Sequence, residues 1–94
     1  MYAAVRRYEG VTDPAEAGRV VSEGFVPLMR QVSGFVAYYW VDAGDGVMVS
    51  TSVFQDQSGA EESIARVADF VAANLASLLP NPPQITAGEV VASA

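Results

Sequence analysis

Two apolar runs, Phe35-Val36-Ala37-Tyr38-Tyr39-Trp40-Val41 and Val47-Met48-Val49-Ser50-Thr51-Ser52-Val53-Phe54, flank the turn-forming stretch Asp42-Ala43-Gly44-Asp45-Gly46. β-Branched and aromatic residues dominate both runs, so the segment reads as an antiparallel hairpin. Alternation along a strand sends Phe35, Ala37, Tyr39 and Val41 to one face and Val36, Tyr38 and Trp40 to the other. Neither set is polar. A sheet wetted on one side alternates apolar with polar residues, so this pattern requires cover on both sides.

The remaining elements supply cover for one side only. Tyr2 to Glu9 reads as an opening strand. Asp13-Pro14-x-Glu16 then has the form of a helix start: a capping carboxylate, a proline at the first helical position and a capping-box acid. Val21, Phe25, Leu28 and Val32 follow at helical spacing, while Gly24 and Pro27 predict a kink or a break. Gly34 releases the chain into the hairpin. A second helix is expected from Ser58, with capping-box spacing to Glu61 and two acids in its first turn. Ile64, Val67, Ala68, Val71, Leu75, Leu78 and Leu79 form its apolar stripe, and Pro80, Pro82 and Pro83 stop it. Gln84 to Ala92 reads as the last strand.

The order β-α-β-β-α-β over residues 1–94 predicts one α+β domain of ferredoxin-like arrangement. Right-handed crossovers place both helices on one face of a four-stranded antiparallel sheet. The other face is left bare, and pairing two such faces about a twofold axis covers both copies with one patch. A homodimer is therefore expected.

Charge narrows the partners. A net charge of -6, with five Arg and no Lys, argues against nucleic acid and against anionic membrane surfaces. No apolar run approaches the roughly 20 residues that span a bilayer. Arg6 and Arg7 precede any apolar leader segment, so a cytoplasmic location is expected. With no Cys and no His, the chain has no disulfide, thiol nucleophile or histidine metal ligand.

Three stretches carry a family resemblance: Tyr2-Ala3-Ala4-Val5-Arg6-Arg7-Tyr8, Ser33-Gly34-Phe35-Val36-Ala37-Tyr38, and the strand from Val47 to Asp56 leading into the acid-capped helix at Ser58. In these the chain resembles the antibiotic biosynthesis monooxygenase family of the dimeric α+β barrel superfamily. Ser33 stands where relatives often carry proline before Gly-Phe. The resemblance implies a ligand cavity between sheet and helices. Members of that family include cofactor-independent oxygenases of polycyclic aromatic substrates, haem-degrading enzymes and many proteins of unknown role. Haem-degrading relatives hold iron through a histidine, which is missing here. What remains is the cofactor-free route, in which the substrate's own phenol is deprotonated and its anion reacts with oxygen while the protein stabilises developing charge. No cofactor is expected, and the ligand class is aromatic or polyketide-like.

Individual residues carry rival readings. The family resemblance places an aromatic of the Tyr38-Tyr39-Trp40 run in the pocket, with Trp40 as the catalytic candidate and Tyr38 and Tyr39 as binding candidates. Filling the core and the dimer interface is the alternative. Arg6 and Arg7 point to opposite faces. One can reach solvent; the other needs a carboxylate such as Glu9, Asp42 or Glu89, or a bound anion. Facing the cavity, Arg6 would be catalytic through anion stabilisation and Arg7 a binding residue. Ser50 and Ser52 share a face with Met48 and Phe54; they either leave room for a ligand or bond across strands. Asn74 lies beside the apolar stripe, as a pocket donor or as an exposed residue. Arg66, spaced to Glu62 and Asp69, reads as helix-surface pairing. Two functions compete, an oxygenase and a non-catalytic binding or assembly module. An open pocket of at least about 300 Å³ with Trp40 and one Arg on its wall would favour the first.

Overall fold

Asp45 and Gly46 both adopt positive φ, 55° and 75°. This is the twist a two-residue hairpin turn needs to match its strands. A computed structural model describing Met1–Ala94 thus closes the hairpin between β2 (Phe35–Gly44) and β3 (Val47–Phe54) on Asp45-Gly46 alone. The first strand of the hairpin is longer than the expected Phe35–Val41. β1 (Tyr2–Tyr8) lies beside β3, and β4 (Gln84–Glu89) lies outside β1, giving an antiparallel sheet of order β2-β3-β1-β4. The last strand stops short of Ala92: Val90 still donates to the Met1 carbonyl, but Val91 is 93% exposed.

The helices are α1 (Pro14–Val20), α2 (Val26–Met29) and α3 (Gln57–Phe70), with π-helical turns at Val21–Phe25 and Val71–Leu75. Asp13 caps α1 by accepting from the Glu16 amide, with Pro14 in the first turn, as the sequence indicates. The interruption at Gly24 and Pro27 takes the form of a π turn, in which the Val26 amide reaches back five residues to the Val21 carbonyl. One extra residue is thereby inserted just before Pro27, so the helix absorbs a proline that has no N–H to give. The start of α3 departs from expectation. Its cap is Asp56, which accepts from the Gly59 amide at 3.0 Å and the Ser58 hydroxyl at 2.7 Å. Helix α3 therefore begins before Ser58, and Glu61 accepts from the Gln57 side chain instead of closing a capping box.

Both helical stretches pack on one face of the sheet, so the ferredoxin-like α+β arrangement holds across the chain. Inward-facing Ala4, Arg6 and Tyr8 of β1 and Met48, Ser50, Ser52 and Phe54 of β3 are all buried. Phe25, Met29, Val67 and Leu75 press down from the helices, and each large side chain contributes about 1.5–3 kcal/mol of apolar burial. The two-faced pattern of β2 needs one correction. A bulge at Val36 lets both Phe35 and Tyr38 face the helices, with Phe35 stacking edge-on against Phe54 at 6.1 Å. Phe35 therefore leaves the face of Ala37, Tyr39 and Val41. On the uncovered face, Val36, Tyr39 and Val41 of β2 are exposed, as is Val5 of β1. No helix is long and apolar enough to cross a membrane.

Candidate functional site

The sheet register aligns one row of helix-facing residues across all four strands: Ile85, Arg6, Ser50 and Trp40. The next row is Ala87, Ala4, Ser52 and Tyr38. Helices cover these rows unevenly. The β2 end is packed, since Phe25 meets Tyr38 at 5.3 Å and Phe70 at 5.2 Å, and Tyr8 tilts against Trp40 at 5.5 Å. Only about 10 Å³ of void remains among these rings. Every residue of β4 at the opposite edge is exposed.

Between α3 and β4 the uneven cover leaves an open groove of about 440 Å³, within the usual range for small-molecule sites. Ile64, Ala68, Ala72 and Ala76 recur every fourth position and form one smooth wall. Pro82, Pro83 and Ile85 face them, with Arg6 and Tyr8 below. Part of the expected core stripe of α3 thus lies outside the core. Val67 and Leu75 face the core, while Ile64 and Ala68 border the groove and stay exposed. Phe70, absent from that stripe, packs in the core, and Ser63 is buried with its hydroxyl donating to the Ala60 carbonyl.

Arg6 is the unusual member. It is 1% exposed, its Nη1 makes one long contact of 3.5 Å to the Ser52 hydroxyl, and its Nη2 has no partner. Ion pairs join Arg7 to Glu9, Arg19 to Glu16 and Glu23, and Arg66 to Glu62, but no carboxylate reaches Arg6. Desolvation lowers its pKa, with Tyr8 and Tyr38 pulling the other way. The group nevertheless stays a cation, because guanidinium does not deprotonate in proteins. Burial also raises the Tyr38 hydroxyl, with nearby Ser50 acting against it, and raises Tyr8 against the opposing field of Arg6. Both phenols are therefore neutral donors at physiological pH. No three acidic side chains gather into a metal cluster.

The other sequence-derived candidates separate. Ser50 and Ser52 are buried beneath the helices beside Arg6, and Ser52 donates to the Ala4 carbonyl. Trp40 shares the row of Arg6 but not its groove. It borders a hollow of about 310 Å³ with Gly18, Ser22 and Tyr38, and its indole Nε1 is buried without a partner. A single pocket walled by both Trp40 and an arginine is therefore not what the helices leave open. Tyr39 is 63% exposed on the far face and also borders that hollow. Arg7 points to the far face and pairs with Glu9 at 3.1 Å, so it lies outside the groove. Asn74 is exposed and donates to the Phe70 carbonyl instead of turning inward. Tyr8, two residues after Arg6 and on the same face, joins the site although the sequence reading passed it over. The period of two that separates Arg6 from Arg7 is the signal that finds it.

No family model and no curated protein matches the chain. Solved structures do. A protein of unknown function from Nitrosomonas europaea is 26% identical with a TM-score of 0.81, covering 99% of this chain and 91% of that one. A monooxygenase from Streptomyces coelicolor, solved in complex with the ligand nanaomycin D, is 23% identical with a TM-score of 0.72 over 98% of this chain and 92% of its own. SnoaB, a cofactor-independent oxygenase from Streptomyces nogalater, is 18% identical with a TM-score of 0.77 over 98% and 94%. Two structures named for the antibiotic biosynthesis monooxygenases also match over 98% or more of the chain, at 17% and 14% identity and TM-scores of 0.76 and 0.75, so that resemblance holds at the level of fold.

Proposed function

We propose that this chain is a small homodimeric protein that binds a flat apolar or aromatic molecule in the groove between α3 and β4 and oxygenates it without a cofactor. The groove itself carries the reading: about 440 Å³, lined almost wholly by apolar side chains and prolines, with one buried cation beneath. Fold neighbours that include a cofactor-independent oxygenase and a monooxygenase solved with nanaomycin D support the same class of ligand. The chain has no histidine to act as general base. Its contribution is to favour the substrate's enolate or phenolate, which Arg6 stabilises by a charge-assisted hydrogen bond in a site of low dielectric. For an anthrone-type substrate the ring methylene loses two hydrogens and gains one oxygen atom, and the second oxygen atom leaves as water. Homodimer formation rests on the uncovered face, where Val5, Val36, Tyr39 and Val41 are exposed on one side of the sheet.

Oxygen uptake by the pure protein with anthrone and quinol substrates tests the proposal. Uptake that falls on the order of 10²-fold in Arg6→Ala, the usual loss for an anion-stabilising donor, is the expected result. No uptake across the panel contradicts it. Two observations favour a second reading, a non-catalytic binding module: the chain lacks both the commonest general base and the best nucleophile, and no single pocket is walled by both Trp40 and an arginine. Binding of the same molecules with no oxygen consumption would select that reading.

A further inference from the structure

We infer that the groove takes its ligand as a monoanion, a flat apolar molecule whose single acidic group is buried against Arg6. The inference rests on the groove being the ligand site and names the class of molecule that fits it. Arg6 is the one charged side chain in the lining, and its Nη2 has no hydrogen-bond partner. A buried guanidinium without a counter-charge is strongly unfavourable, and the ordinary remedy is a carboxylate on a neighbouring strand. Eleven acids are present in the chain, yet none is placed there. The three paired arginines, Arg7, Arg19 and Arg66, show that this sequence uses such partners elsewhere. A ligand carboxylate or enolate would supply the missing charge and satisfy the free N–H groups. Tyr8, a neutral phenol at the same end, offers a further donor. The rest of the ligand is apolar, since the wall of Ile64, Ala68, Ala72 and Ala76, along α3 and the π turn after it, has no polar side chain to match. Only one charge is expected, because no second cation borders the groove and the net charge of -6 repels anions from the surface.

Two fluorescent probes of nearly equal shape test this: anthracene-2-carboxylate and its neutral analogue 2-(hydroxymethyl)anthracene, titrated into wild-type protein and Arg6→Met. Wild type should bind the carboxylate about tenfold or more tightly than the alcohol, the scale of a hydrogen bond to a charged group. The preference should persist from about pH 6 to 9, where neither arginine nor a carboxylic acid titrates. Arg6→Met should bind the two probes alike. Equal binding of the probes by wild type overturns the anion inference and leaves the groove as a ligand site. Binding of neither probe overturns both. A carboxylate preference that survives in Arg6→Met places the anion elsewhere and also overturns the inference; the wild-type comparison stands even if that variant does not fold.

Discussion

Arg6 is held where no stability argument would put it. Leaving a guanidinium buried and unpaired is destabilising, and replacing such a group by an apolar side chain of similar length is neutral or favourable. Arg6→Met should therefore raise the unfolding free energy of the ligand-free protein by roughly 1–3 kcal/mol in urea titration. A loss of stability instead would mean that Arg6 supports the fold. The buried phenols make a second prediction. Because the folded pKa of Tyr8 and Tyr38 lies above the ordinary value, the stability they contribute is present below about pH 10 and is lost as pH rises beyond it. Urea midpoints measured from pH 8 to 11 should fall, and Tyr38→Phe should flatten the decline; an identical slope in the variant would count against a raised Tyr38. Residue-level legibility follows from what alternation can say. It separated Arg6 from Arg7 and grouped Ser50 with Ser52, because a strand's period is fixed by geometry. Neighbours are decided by tertiary packing, so the missing partner of Arg6 and the separation of Trp40 from the groove were not readable.

At the scale of elements, Gly59 marks where a helix comes close to other backbone. Gly59, in the first turn of α3, would place an added Cβ 2.7 Å from the Ser33 carbonyl and 3.3 Å from the Phe54 side chain. Helix propensity alone favours Gly→Ala by about 1 kcal/mol. Here backbone contact should win, and Gly59→Ala should lower stability by about 1–3 kcal/mol in thermal or urea unfolding. A stabilised variant would mean that α3 sits farther from the loop before β2. Element order and strand pairing were legible because apolar period and turn residues agree along the chain. Boundaries were less so. Asp56 competes with Ser58 as a cap and wins, since it satisfies the Gly59 amide while holding the Ser58 hydroxyl. The Val36 bulge leaves no mark in composition, and it turned Phe35 onto the helix face. The π turns came from the same source, a residue count that packing adjusts by one.

For the whole molecule, the sheet has one face unevenly covered by helices and one on which Val5, Tyr39 and Val41 stand exposed. Sedimentation at micromolar concentration should give a dimer, and Val5→Glu, on the central strand of that face, should shift it toward monomer with the groove's ligand affinity changed little. A monodisperse, folded wild-type monomer would remove the dimer from the account. The proposed function depends on the other face, where uneven helical cover opens a groove above the unpaired cation. A crystal structure of the protein soaked with anthracene-2-carboxylate examines that arrangement directly. The rings should lie between α3 and β4, with the carboxylate within hydrogen-bonding distance of Arg6. Ligand density in the hollow beside Trp40, or on the uncovered sheet face with the groove empty, would contradict it.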